Sequence, residues 1–454
     1  MRYEISRYEV EKLDAYASIL PGFAFKSERF TDNLADIPLV KGENVHQGYI
    51  DWLEAKRWPL HEYDAFSRYH LVSGDIVLAM DRPWVTAGLK WSYIKPHDPK
   101  SLLVQRVARI RAKGKLDQHY LRHVISSNYF ANYLQPIVTG VTVPHISGKQ
   151  IGDFRIPIPD LGTQRKIAAI LTAYDDLIET NKRRIILLEK MAEEIYREWF
   201  VRMRFPGYQS TKLVKGVPEG WHFDLSSKFF GHAKGKSYSA HEISDEEGTC
   251  FFITLKSFNR RGGYRKEGLK YYSGYHRNEQ CVEAGDVVMA VTDMTQDRAV
   301  IGEVARIPYL PGKMTVISLD VIKLIPKTIS KTFLYAYMRH SGFSSFIKEF
   351  ANGANVLHLK PDLVGKQRLL FPSEHLQQRF SDLAGPLYQE SDNLEEAITL
   401  LNKTRDLLLP RLISGKLSVA NLDIQFPPSM CKGDEEAERK ALNSTSESGQ
   451  VHRL

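Results

Sequence analysis

Displaced by 213 positions, this chain falls on itself without a gap over a long stretch. Gly140 lands on Gly353, His145 on His358, Gly152 on Gly365, Arg155 on Arg368, Pro159 on Pro372 and Gln164 on Gln377. The match runs on through Ile185/Ile398, Leu188/Leu401 and Trp199/Leu412, and upstream through Tyr120/Phe333 and Phe130/Phe343. With two or three residues of slippage, GDIVLA at 74–79 pairs with GDVVMA at 285–290. Asn44 and Gly48-Tyr49 pair likewise with Asn259 and Gly263-Tyr264. Agreement of this length in one register does not arise by chance, so the chain is two diverged copies of one unit. Its 454 residues suit two domains of ordinary size plus connecting helices.

Each copy closes on a long helical stretch. Within 161–201, Tyr174, Ile178, Asn181, Ile185, Leu188, Ala192, Ile195 and Trp199 alternate in steps of four and three. That is the spacing of a seam packed against one partner helix. Acids gather early (Asp175, Asp176, Glu179) and cations later (Lys182, Arg183, Arg184, Lys190), as a helix dipole favours. Some 40 residues at ~1.5 Å each make a rod of roughly 60 Å. Phe205-Pro206-Gly207 is expected to stop it. Asn181 either fixes register in the seam or acts as a cap or kink. The second rod is expected from Glu374 to about Leu409, with Leu387, Leu394, Ile398, Leu401, Leu408 and Leu412 in its seam. Pro410 should kink or end it, and Gly415 is a suitable stop.

The divisions that follow are a globular domain at 1–155, a spacer helix at 156–205, a second domain at 206–370, a second helix at 371–418 and a polar tail at 419–454, expected to be disordered. Turn signals and apolar runs place strands at 22–25, 37–40, 45–50 around Gly48, 76–80, 251–255 and 271–275. Helices are expected at 116–134 and 330–350, and a tight loop at 139–146. No run of 18 apolar residues exists, and the acidic N-terminus lacks the apolar core of a signal peptide. Cys250, Cys281 and Cys431 form neither a paired framework nor a metal spacing, so the cytoplasm is the expected compartment and no metal site is expected. A net charge of +8 permits a nucleic-acid partner without demanding one.

Catalytic motifs fail on counting. The stretch 231–237 (GHAKGKS) has three residues between its glycines where a phosphate-binding loop needs four. The only Pro-Pro, Pro427-Pro428, lies in the tail, where it cannot form the Asn/Asp-Pro-Pro-aromatic loop of an adenine methyltransferase. His61-Glu62 and His241-Glu242 lack the second histidine of a zinc protease. Glu54-Ala55-Lys56 has no upstream Pro-Asp of a nuclease. His145 and His358, beside apolar neighbours, read as hydrogen-bonded structural residues. The loops carry the better claim to function, because Arg, Asn, Gln and Thr supply groups that read base edges while Lys and Arg hold phosphates. Candidate DNA contacts are Lys41, Asn44, His46, Arg82, Trp84 and Thr86 in the first copy. In the second they are Lys256, Asn259, Arg260, Arg261, Thr295, Gln296 and Arg298.

The helical stretches at 161–207 and 373–417, with the openings GFAFKS and VPEGW, resemble the specificity subunit of type I restriction–modification systems. The resemblance spans about 3–418, and departs where Ser391 and Arg405 stand at seam positions matching Ile178 and Ala192. It implies a mixed α/β (α+β) fold of two pseudo-symmetric target-recognition domains, separated by two long antiparallel coiled-coil helices. Each domain would read one half of a bipartite site in double-stranded DNA, the helices setting the gap. Two modification subunits would dock on the helical regions and methylate adenine N6, and two restriction subunits would add translocation and cleavage. S-adenosylmethionine, ATP and magnesium are expected on those partners, with no cofactor on this chain. A pseudo-dimeric transcription regulator is the main rival reading, but no compact helix-turn-helix or effector pocket is visible. A pure coiled-coil scaffold leaves the two large aromatic-rich domains unexplained.

Overall fold

The computed structural model describes residues 6–85, 88–138 and 144–430. By its contacts the chain divides into one unit formed by residues up to Thr180 together with those from Thr399 onward, and a second formed by Asn181–Ile398. Both boundaries fall inside long helices, Leu161–Tyr196 and Glu374–Ile413.

In the first unit, an antiparallel sheet orders Ala17–Pro21, Val107–Ala112, Ile76–Ala79 and Trp91–Tyr93. The second unit orders Phe230–Lys234, Val321–Pro326, Val287–Ala290 and Val304–Arg306 in the same way. Ile76–Ala79 and Val287–Ala290 are buried along their whole length, as continuous apolar runs in a central strand should be. Each is launched by a glycine in the left-handed region, Gly74 at φ +88° and Gly285 at φ +82°, which a Cβ would strain. A second sheet of the first unit orders Arg57–Trp58, Ile37–Val40, Ser101–Leu103 and His70–Leu71. Its counterpart orders Lys270–Tyr272, Cys250–Ile253, Thr315–Ile317 and Cys281–Val282, with Ile243–Ser244 added at the edge. The repeated sequence is therefore a repeated strand order, inserted edge strand apart.

Helical expectations need correction in detail. The helix expected at 116–134 breaks at Ser127 into Gln118–Ser126 and Asn128–Val138. Ser127 has extended backbone, and its hydroxyl accepts the Phe130 N–H (3.2 Å), starting a new helix. Similarly, 330–350 resolves into Lys331–His340 and Phe343–Ile347, separated at Gly342 with φ +83°. The strand expected at 22–25 is not formed: the nearest strand ends at Pro21, and Phe23 makes only an isolated bridge to Val104. The loop expected at 139–146 lies largely outside the described residues.

Within each unit the two long helices run antiparallel. In the first, Asp175 pairs with Arg405 (2.7 Å) and Lys166 Nζ donates to the Ala420 carbonyl (2.8 Å). In the second, Arg184 meets Glu390 (3.6 Å) and the Tyr196 ring lies 5.8 Å from that of Phe380. Of the expected seam, Ile178, Asn181, Ile185, Ala192, Leu394, Ile398 and Leu412 are buried. Tyr174, Leu188, Ile195, Trp199, Leu387, Leu401 and Leu408 are half-buried. Tyr196, outside the seam's strict alternation, is buried as well. The first helix widens into a π-turn over Arg197–Val201, short of Phe205. Pro410 does not end the second helix, which continues to Ile413, because a proline one turn from the end forfeits a single ladder bond.

Disorder does not extend through the whole expected tail. Val419 and Met430 are buried in the first unit's main core, with Leu417 and Ile424 packed beside them, and Ser429 Oγ donates to Asp176 (2.5 Å). A few well-separated apolar side chains carry this docking, although the stretch is polar on average. Residues 431–454 lie outside the described residues. Among those described, no helix is long and apolar enough to cross a membrane.

Candidate nucleic-acid interface

Two loops of each unit come together at one end of the central sheet. In the first unit, Val45 pairs with Ile50 around Gly48 (φ +82°), and the Gly48 N–H donates to the Trp91 carbonyl (2.7 Å). Lys90 Nζ also donates to the Gly42 carbonyl. The loop at 41–50 is thereby tied to the loop that follows Ile76–Ala79. Asp81, at the head of that second loop, is bridged to His145 along the backbone and receives both His145 Nδ1 and Arg106 (2.8 Å) on its carboxylate. Arg82 stands exposed at φ +42° and Arg106 at φ +67°, conformations that arginine seldom adopts.

The second unit repeats this geometry. Its Gly263 N–H donates to the Val304 carbonyl (2.8 Å), and Thr292 pairs with His358 as Asp81 does with His145. Asp293 then organises the following loop, accepting the N–H of Thr295 (2.9 Å), Val300 (2.8 Å) and Ile301 (3.2 Å), and the Thr295 hydroxyl (2.8 Å). Burial works to raise the Asp293 carboxyl, but these hydrogen bonds outweigh it and hold it below its ordinary value. The Arg260 guanidinium lies 4.0 Å from Asp297, so the loops at 254–264 and 292–301 adjoin.

The candidate residues therefore cluster, but with unequal access to a ligand. Arg82, Lys256, Asn259, Arg260 and Arg261 are exposed, and His46 stacks on the exposed Tyr49 (4.8 Å, 17°). Lys41 is half-buried, paired with Glu43 (3.1 Å) above the Phe30 ring. Three residues are better described as supports. Asn44 is 3% exposed; its Oδ1 accepts the Lys41 N–H and its Nδ2 donates to the Leu39 and Asp51 carbonyls, so it shapes the loop and cannot reach a base. Trp84 packs against the main core. Arg298, at φ +54°, is held by Glu349. Thr295 and Gln296 are exposed yet engaged, Gln296 Nε2 donating to the Ala354 carbonyl (2.9 Å). Thr86 lies outside the described residues. Sequence reading passed over Arg106 and Tyr49. Arg106 carried no signal, since only the fold sets it beside Asp81. Tyr49 carried one in its place next to the Gly48 turn.

The same interfaces are braced against the long helices. Arg306 forms a two-pronged pair with Asp392 (2.5 and 2.6 Å), and Lys95 pairs with Glu179 (3.1 Å). Among the described residues, no group of three or more His, Cys, Asp or Glu is placed to hold a metal ion.

Residues 22–190 match the family model described as the type I restriction modification DNA specificity domain. Over these stretches the chain is similar to the specificity subunits of type I restriction–modification systems. It is 26% identical over 341 residues to the type I restriction enzyme MjaIX specificity subunit of Methanocaldococcus jannaschii, covering 70% of this chain and 73% of that one. To the EcoAI specificity subunit of Escherichia coli it is 32% identical over 178 residues, covering 39% of this chain and 29% of that one. The solved S subunit from M. genitalium has a similar fold (TM-score 0.52, 15% identity), covering 90% of this chain and 97% of that one.

Proposed function

We propose that this chain is the DNA-addressing, non-catalytic subunit of a type I complex, each unit reading one half of a bipartite site. The observation that carries this reading is the doubled strand order with differing side chains on equivalent loops. Equivalent frames present two heads in related geometry, while different loops read different sequences. The paired helices are the ruler that sets the unspecified gap, and their outer faces dock two modification subunits. Those partners hold S-adenosylmethionine and methylate adenine N6. Two restriction subunits add ATP- and magnesium-dependent translocation and cleavage. Exposed Arg82, Arg260 and Arg261 fit base or phosphate contact.

Purification tests the division of labour. Chain expressed with its modification partner should co-purify with two copies of it and methylate adenine in both halves of a split motif. Chain alone, given labelled S-adenosylmethionine or ATP with magnesium, should stay at background. Robust activity of the lone chain, or a contiguous motif, would overturn the reading.

A further inference from the structure

Among the described residues, each loop cluster leaves one large apolar side chain in water among its polar ones, and the two copies do so from different loops. In the first unit it is Tyr49, 54% exposed and stacked on His46. Its counterpart Tyr264 packs instead against a core cluster of the second unit. There the exposed position passes to Met294, 69% exposed.

Single exposed hydrophobic residues are common and by themselves mean little. Met294 is distinguished by its support. Asp293, the residue before it and 4% exposed, pins the chain that follows it through the four hydrogen bonds described above. Gln296 is tied to the Ala354 carbonyl and Arg298 to Glu349. The loop turns Val300 and Ile301 inward onto core clusters, yet holds Met294 outward. Arg260, 80% exposed, reaches toward Asp297, three residues along from Met294, so a cation adjoins the loop that carries the thioether. An apolar group beside polar and cationic groups suits one feature of the major groove: the C5 methyl of thymine, the only apolar mark on a base edge there.

Resting on the DNA-reading function proposed above, we infer that Met294 is a specificity-determining residue that packs on a thymine methyl in the second half-site. The methionine side chain is unbranched and polarizable, which lets it fit a methyl without demanding one rotamer.

The test uses the complex of this chain with its modification partner, on duplexes carrying the motif found by mapping methylated adenines. Each thymine of each half-site is replaced in turn by deoxyuridine, which removes only the C5 methyl. At one position of the half-site read by the second unit, binding by the native complex should weaken about four-fold, the equivalent of one buried methyl-sized group. Met294→Ala should bind the thymine duplex weaker by a similar factor and be indifferent to deoxyuridine there, whereas Met294→Leu should keep the discrimination. Deoxyuridine scanning of the other half-site should be unaffected by either variant, which also reports that the variants fold. The inference is overturned if no deoxyuridine weakens binding in that half-site, if the half-site contains no A·T pair, or if Met294→Ala remains as sensitive as the native complex. A native complex that binds both halves indifferently to sequence would instead sink the DNA-reading function itself.

Discussion

The two units differ sharply in how each recognition domain is tied to its long helix. In the second unit, Arg306, at the end of the edge strand Val304–Arg306, grips Asp392 with two hydrogen bonds and donates a third to the Tyr388 carbonyl (3.1 Å). Both partners are nearly buried, their side chains 16% and 13% exposed. The equivalent positions of the first unit are Tyr93 and Glu179, and there the tie is made from two residues further along by Lys95, with both side chains about a third exposed (33% and 34%). One location in the fold is thus held by a desolvated, bidentate pair in one copy and by a half-wet point contact in the other. Descent from one ancestral unit preserved the place where domain meets helix and left the chemistry free to change. Removing one partner of a buried pair strands a charge, whereas a wet pair exchanges its partner for water.

That contrast yields a graded set of outcomes. Arg306→Ala should have the largest effect, destabilising the protein by about 3–5 kcal/mol because Asp392 is left buried and uncompensated. Chemical denaturation measures it, and a loss near zero would mean the pair is open to solvent in solution.

Acid should come next. Burial, reinforced by Arg339 and Arg197, pushes the His340 imidazole down to about 3. Held neutral in the fold, it takes up a proton on unfolding once the pH drops below its unfolded value of 6.5. Its contribution is intact above that value and declines by about 1.4 kcal/mol per pH unit as the pH falls toward 3. His340→Gln should remove this part of the slope between pH 6.5 and 4.5, while Ser127, the matching residue of the first unit, offers nothing to titrate. Denaturation midpoints of the native protein and the variant that stay parallel over this range would contradict the assignment.

A third outcome concerns the loops. Arg82→Ala should weaken recognition in the half-site read by the first unit alone, and Arg260→Ala in the other, each by roughly 1–3 kcal/mol at one base position if the contact is to a base edge. Uniform loss over all sequences would reassign either arginine to the phosphates. Smallest of all, Lys95→Ala should cost under about 1 kcal/mol and less still in high salt. A cost matching that of Arg306→Ala would erase the difference between the copies.

The sequence displayed the frame better than the contacts. Gly74 and Gly285 announced the central strands, because a left-handed turn before a wholly apolar run leaves few alternatives. The helix seams were visible because Ile178, Ile185, Leu394 and Ile398 keep helical spacing. Asn44 misled because an amide that reads bases and an amide that closes a loop look identical in one dimension. Ser127 stopped a helix through its own cap, a choice made by backbone geometry that apolar periodicity does not report. Residues 419–430 looked too polar to pack, yet Val419 and Met430 found a core formed by chain several hundred residues earlier. Arg106 was invisible for the same reason, since its partner Asp81 is brought to it only by the sheet.

The central claim is that two reading heads are spaced by paired helices, and lengthening both helices tests it most directly. Four residues inserted after Ile185 and four after its counterpart Ile398 add ~6 Å to each rod while nearly keeping rotational phase. At ~3.4 Å per base pair, the gap should grow by one or two base pairs. Mapping methylated adenines in cells that express the double insertion with its modification partner should recover both original half-sites, now further apart. An unchanged gap, or altered half-site sequences at the old spacing, would contradict the account.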